Sequence, residues 1–202
     1  STVAGKDGRW SATVAMPSAS YTPLSLTFES GDEKVTVKNI LAGEVWVCAG
    51  QSNMEMPVEG FDNCPVEGYN DVVLDAKNHS GIRFVKIPSI MRQTPQEDAD
   101  CKWEVTSSET VRRASAPGWF FAHTINTALD IPVGLIMANK GGSRVESWLT
   151  KENLQRCCPA ETLDSIENVK KFRWDFLYPL YWGNGTFNPI INYTVSGIIF
   201  YQ

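Results

Sequence analysis

The rhythm of hydrophobic and polar positions changes near residue 39. Before it, GRWSATVAM, PLSLTFES and KVTVKN alternate apolar with polar residues, and Leu24, Leu26 and Phe28 fall on one face. That period of two predicts half-buried antiparallel strands, with Gly8, residues 17–20 and the Ser-Gly-Asp-Glu of 30–33 as the turns between them. Three strands are too few to close a sandwich of their own, so residues 1–38 read as the C-terminal part of a β-sandwich-like domain. Beyond residue 39, the runs EVWVCAG, GIRFVKIP, PVGLIMAN and SGIIFYQ are apolar on both faces and rich in β-branched residues. Such runs predict parallel strands covered on either side.

Between these runs, APGWFFAHTINTAL has helical spacing, and ESWLTKENL opens another helix. Strands alternating with helices place residues 39–202 in the α/β class. Residues 63–80 and 91–115 are polar and irregular and predict long loops. The last run, SGIIFYQ, needs a neighbour on each side, and left bare it would form an open edge. The expectation is that further sequence covers it, in the same molecule or in a partner.

In an open α/β sheet the ligand sits beyond the carboxyl ends of the strands, so the residues that follow each apolar run are the candidates for chemistry. EVWVCAG runs into Gln51-Ser52-Asn53, PVGLIMAN into Lys140-Gly141-Gly142-Ser143, and SGIIF into Tyr201-Gln202. A serine in a tight turn after a strand exposes its Oγ and can aim its own N–H at a developing oxyanion. A glycine pair lets a second backbone N–H approach the same point. The competing reading is that both segments are plain strand-to-loop turns. Residue by residue, both readings stand.

Charge and cysteine spacing narrow the partners. The 202 residues carry 18 Lys and Arg against 23 Asp and Glu, a net charge of −5 with no basic run, which argues against nucleic acid. No apolar stretch approaches the roughly 20 residues that span a bilayer. Of the five cysteines, Cys48, Cys64 and Cys101 are isolated and Cys157-Cys158 are adjacent, so there is no zinc-type pair and no metal is expected. Disulfides, and glycosylation sequons at Asn78, Asn184 and Asn192, are compatible with a secreted, periplasmic or lysosomal protein.

The residues together resemble a known family. GEVWVCAGQSNMEMP, residues 43–57, resembles the first block of the sialate O-acetylesterases, a carbohydrate-esterase branch of the SGNH-hydrolase superfamily that also contains acetylxylan esterases. VGLIMANKGGSRVESWLT resembles their second block, with Ser143 where threonine is usual. VSGIIFYQ resembles the strand leading into a third, with Phe200 in place of tryptophan, and DGRWSATVAMPSA resembles the β domain that precedes the hydrolase domain. The resemblance implies a flavodoxin-like, three-layer α/β/α fold with a mostly parallel sheet. Residues 39–202 would be the N-terminal portion of that hydrolase domain, so the chain reads as truncated at both ends. It further implies Ser52 as nucleophile, the amides of Ser52, Gly142 and Gly141 as oxyanion hole, and Gln51, Asn53 and Gln202 around the substrate. The implied reaction removes O-acetyl groups from sugars, most of all sialic acids, through an acetyl-enzyme and without metal or organic cofactor. Acetylated xylan is the rival substrate. The rival of another class is a non-catalytic carbohydrate-binding fragment.

The family also needs a histidine oriented by an aspartate, and there are only two histidines to supply it. His123 falls within a helical pattern among Phe120, Phe121, Ala122 and Ile125, and reads as packing or as a capped polar site. His79 precedes GIRFVKIP, at the wrong edge of the sheet for Ser52. The base is therefore expected from the remainder of the hydrolase domain, in the same molecule or as a second chain. Asp62, Asp71 and Asp75 read as solvated loop carboxylates, and Glu146 as the partner of an arginine. Among Trp119, Trp148, Trp174, Trp182 and Tyr181, the last two are the candidates for a sugar-stacking platform and the others read as core.

Overall fold

A computed structural model of the chain describes residues 1–158 and 178–202. Strand β1 (Ser20–Ser30) pairs antiparallel with β2 (Glu33–Ala42) in a hairpin whose register runs from Ser30↔Glu33 to Ser20↔Ala42. Gly31 turns the corner with φ 59°. The expected first strand, GRWSATVAM, is not one: residues 9–17 have no regular structure, and Trp10, Val14 and Met16 are 51–55% exposed. Among the described residues its backbone has no third strand to pair with, and Trp10 instead leans on Phe28 at 5.8 Å. The hairpin also runs past the expected boundary, because Ile40, Leu41 and Ala42 pass into the interior. Arg83 ties it down by donating to the carbonyl of Asn39 and, at 2.9 Å, to its side chain.

The second sheet has five strands: β3 (Glu44–Gly50), β4 (Ile82–Lys86), β5 (Glu104–Val105), β6 (Val133–Asn139) and β7 (Gly197–Tyr201). Their spatial order is β5-β4-β6-β3-β7, all parallel except β5, which runs against β4. The four apolar runs are thus the four parallel strands. Their order differs from the flavodoxin-like 2-1-3-4-5, since β6 lies between β3 and β4. The pattern of burial gives the reason. Six of the seven residues of β6 are buried, which suits the middle of the sheet, whereas Ile198, Phe200 and Tyr201 of β7 are 51–59% exposed at the outer edge.

Alternation along the strands feeds two cores. Cys48, Phe84, Leu135 and Met137 face Met54, Val58 and Trp119 on one side, and Val47, Val85 and Ile136 face Phe187, Ile190 and Val195 on the other. Helix α3 (Ala116–Leu129) coincides with the predicted helical run. Ser115 caps it by accepting from the Gly118 N–H, Pro117 occupies its first turn, and Asp130 ends it in the left-handed region. Gly118 lets α3 settle on β3, because a Cβ there would stand 2.8 Å from Cys48 Sγ. Burial pushes the Cys48 thiol up to about 12, so it packs as a neutral apolar group. All five cysteines are free thiols.

Two expectations about the connections need correction. Residues 63–80 are not simply a loop: they contain α2 (Tyr69–Asp75) and a 3-10 turn (Ala76–Asn78), since Val72, Val73 and Ala76 pack against the core and pay the helix back for its polar face. ESWLTKENL divides into a 3-10 turn (Val145–Ser147) and α4 (Lys151–Cys157), with Thr150 capping the Asn153 N–H. Residues 91–115 are largely irregular, as expected, with β5 and a short 3-10 turn (Thr110–Arg113) inside them. Among the described residues no helix is long and apolar enough to cross a membrane.

Candidate active site

Strand register sets the site. Gly50 pairs with Asn139 of β6 and with Tyr201 of β7, so the three strands end at one level and release their loops side by side. At the end of β3, Gly50 takes φ 139°, and a Cβ there would lie 2.1 Å from the Tyr201 carbonyl oxygen. Glycine is required for that approach. The chain then reverses: the Gln51 carbonyl accepts from the Met54 and Glu55 N–H groups, and Ser52 opens the single turn α1 (Ser52–Glu55), half-buried. The Ser52 N–H stands in the first turn, where backbone donors have no partner within the helix.

The sequence-predicted residues all meet here. After β6, the Lys140 N–H donates to the Gly50 carbonyl, and Gly142 turns with φ 75°. Gly141 lies directly over the serine, so that a Cβ on it would come within 3.4 Å of Ser52 Cβ. The Gly142 N–H donates to Gln51 Oε1 at 3.2 Å, and the Gly141 N–H to Glu55 Oε2 at 2.6 Å. Gln202 donates through Nε2 to the Ser143 carbonyl at 3.1 Å, and its own carbonyl accepts from Asn53 Nδ2 at 3.0 Å. Loops from three strands are thereby laced around Ser52 through Gln51, Asn53, Gly142, Ser143 and Gln202.

Glu55 is the residue that sequence reasoning missed. Its side chain is only 17% exposed, it holds the glycine loop through the Gly141 amide, and Lys86 and Lys140 stand at 3.9 and 4.0 Å. Its place in QSNME, one helical turn after the strand end, was the available signal. A hydrogen bond to a charged acceptor contributes about 1.5–3 kcal/mol. Glu55→Gln, which retains the acceptor oxygen and loses the charge, is expected to lower turnover by about tenfold while leaving the fold intact. Steady-state kinetics and a melting curve on the same preparation check it.

Other candidates fall elsewhere. Trp119 is core, as expected, while Trp182 is buried and stacks on Trp148 at 6.4 Å, so it is no platform. Tyr181 stacks instead on Tyr178 at 5.0 Å, and the pair lines a cleft of about 530 Å³ with Met91, Arg92, Gln93 and Thr94, beyond the carboxyl end of β4. Trp174 lies outside the described residues. Glu146 is exposed and has no ion pair with an arginine among the described residues. A cavity of about 330 Å³ lined by Leu41, Arg83, Trp103 and Tyr193 opens at the amino ends of the strands, away from Ser52.

Both histidines also sit at that amino edge. His79 lies just before β4, and six residue steps of about 3.3 Å, roughly 20 Å of strand, separate that edge from the level of Ser52. Asp75 is exposed, as expected of a solvated carboxylate, but it ends a helix rather than lying in a loop. At the end of α2 its Oδ2 stands 2.8 Å from His79 Nε2 and 3.7 Å from His123 Nε2, and its Oδ1 accepts from Asn78. The carboxyl is held below its ordinary range, first by the Asn78 hydrogen bond and then by His79. His123 reaches out from α3 to this group rather than packing into the core.

A serine between three flush strand ends of a mostly parallel, two-faced sheet is the arrangement of an SGNH-type α/β fold. The family profile described as carbohydrate esterase, sialic acid-specific acetylesterase matches residues 42–173, and the chain belongs to that family. It is similar to human sialate O-acetylesterase, 28% identical over 188 residues that cover 87% of this chain and 34% of that protein. The mouse sialate O-acetylesterase is 23% identical over 202 residues. The chain thus spans about a third of the length of these relatives. A crystal structure of a carbohydrate acetylesterase from Xanthomonas citri superposes with a TM-score of 0.78 at 24% identity, covering 97% of this chain and 40% of that one, which shows the shared fold.

Proposed function

We propose that residues 39–202 carry the nucleophile side of a carbohydrate acetylesterase, with Ser52 as the attacking group and residues 1–38 as the end of a preceding β domain. The observation that carries the reading is the lacing of three strand ends around one half-buried serine. Ser52 Oγ attacks the acetyl carbonyl, the carbonyl π electrons move to oxygen, and the Oγ proton passes to a base. The Ser52 and Gly142 amides face the developing oxyanion once Gln51 Oε1 releases the Gly142 N–H, a step that substrate entry would drive. Collapse expels the sugar hydroxyl, which takes up the proton, and water then cleaves the acetyl-enzyme to acetate. Neither histidine of this chain reaches Ser52, so the base belongs to the rest of the esterase, in the same polypeptide or a partner chain.

An O-acetylated sialic acid is the substrate we favour, with the Tyr178–Tyr181 pair offering an aromatic face to a sugar ring. Acetate release by the full-length protein, measured on O-acetylated sialic acid and on acetylated xylan, tests this. Preference for the sialic acid by tenfold or more is expected. A reversed preference makes the protein a polysaccharide esterase, and glycan binding without acetate release makes it a binding module.

A further inference from the structure

The histidine cluster at the amino edge is unrelated to the esterase reading and has a hydrogen-bonding problem of its own. Asn126, 8% exposed on α3, donates through Nδ2 to the Tyr21 hydroxyl and to the Ile131 carbonyl, which leaves its Oδ1 as an acceptor for His79 Nδ1 at 3.2 Å. His79 Nδ1 therefore carries a hydrogen, and its Nε2 is the atom that faces the cluster. Nε2 stands 2.8 Å from Asp75 Oδ2 and 3.1 Å from His123 Nε2. If His123 donates to His79 Nε2, the anionic oxygen is left facing a lone pair. If a proton on His79 Nε2 serves the oxygen, His123 Nε2 is left as a second acceptor of that same hydrogen. One hydrogen serves all three atoms only as a shared, three-centre bond. One cation can serve all three directly.

We infer that Asp75 Oδ2, His79 Nε2 and His123 Nε2 form a binding site for a divalent transition metal of the zinc class, with the fourth position open to solvent. The three atoms lie within 4.8 Å of one another. Zinc bonds of about 2.1 Å at tetrahedral angles place ligand atoms about 3.4 Å apart. The observed separations of 2.8, 3.1 and 3.7 Å bracket that value, so movements of a few tenths of an ångström complete the site. The outer groups match what metal sites need. Asn126 holds the His79 ring in the tautomer that frees Nε2, Asn78 holds the other carboxylate oxygen, and Trp119 lies edge-on to His79 at 6.1 Å, an apolar wall on one side. Two imidazoles and one carboxylate suit zinc and cobalt rather than calcium or magnesium. A metal here would pin the end of α2 to α3 and, through Asn126 and Tyr21, to β1 of the hairpin.

Cobalt titration of the chelator-treated full chain tests this. One cobalt per chain is expected, with the intense visible bands of a tetrahedral centre, displaced by zinc. His79→Gln and His123→Gln should each weaken binding by at least about 100-fold, while Ser52→Ala leaves it unchanged. On the native protein, zinc should shift the imidazole resonances of both histidines, which are the only two. Absence of the visible bands, a thiolate-to-cobalt charge-transfer band from the exposed cysteines, or equal affinity in the glutamine variants would overturn the site. So would imidazole resonances that zinc leaves in place, a readout that stands even if a variant fails to fold.

Discussion

Ser52→Ala in the full-length protein is expected to lower acetyl-ester hydrolysis by about 10⁴-fold or more, the order lost when a serine nucleophile is removed. The fold should be indifferent. Ser52 is half-buried, its Oγ makes no hydrogen bond among the described residues, and alanine suits the first turn of α1. The melting temperature should therefore stay within about 2 °C, since surface changes of this kind remain within ±0.5 kcal/mol. The pairing of the two measurements matters. Lost activity with an unchanged melting curve assigns the chemistry to Oγ. Retention of a tenth of the activity would sink Ser52 as nucleophile and leave the strand-end turn a structural feature.

Gly50→Ala is expected to act on structure and chemistry at once. The new Cβ would lie 2.1 Å from the Tyr201 carbonyl oxygen and 2.7 Å from its carbon, both backbone atoms, at a residue held at φ 139°. Backbone cannot swing aside as a side chain does, so β7 must retreat by about an ångström from β3. That breaks the Gly50↔Tyr201 pairing, weakens the donation from the Gln51 N–H to Tyr201, and moves Gln202 off Ser143 and Asn53. Strain and lost contacts together should cost about 3 kcal/mol or more, which for a chain of this size lowers the melting temperature by roughly 6–12 °C. Gly31→Ala is the control. It too has positive φ, 59°, but nothing lies within 4 Å of its Cβ, so only the conformational cost of about 1–2 kcal/mol remains. Equal melting temperatures for the two variants would show that the close approach of β7 is not what requires glycine at residue 50.

Much of this was legible in the order of residues. Short, β-branched runs apolar on both faces read as strands, and EVWVCAG, PVGLIMAN and SGIIFYQ became β3, β6 and β7, the last exposed at the edge. The residues after them are the ones that meet at the site. The spacing of APGWFFAHTINTAL marked α3, because helical periodicity repeats within a few turns of the chain. Where local signals were weak, the reading slipped. GRWSATVAM alternates like a strand, yet a strand needs a partner, and pairing is not written in its own residues. Residues 63–80 look polar because α2 buries only one narrow stripe.

The sequence by itself determined the class of fold, the family and the position of the candidate nucleophile, since periodicity, turn residues and a contiguous motif are all local properties. Tertiary structure decided the rest. It placed β6 in the centre, set Gly50, Asn139 and Tyr201 at one level, and turned Glu55 onto the Gly141 amide. It also brought Asp75, His79 and His123 together at the far edge. His79 and His123 are 44 residues apart in the chain and 3.1 Å apart in space. That proximity follows from how α2 and α3 pack on the same face of the sheet, which no window of the sequence contains.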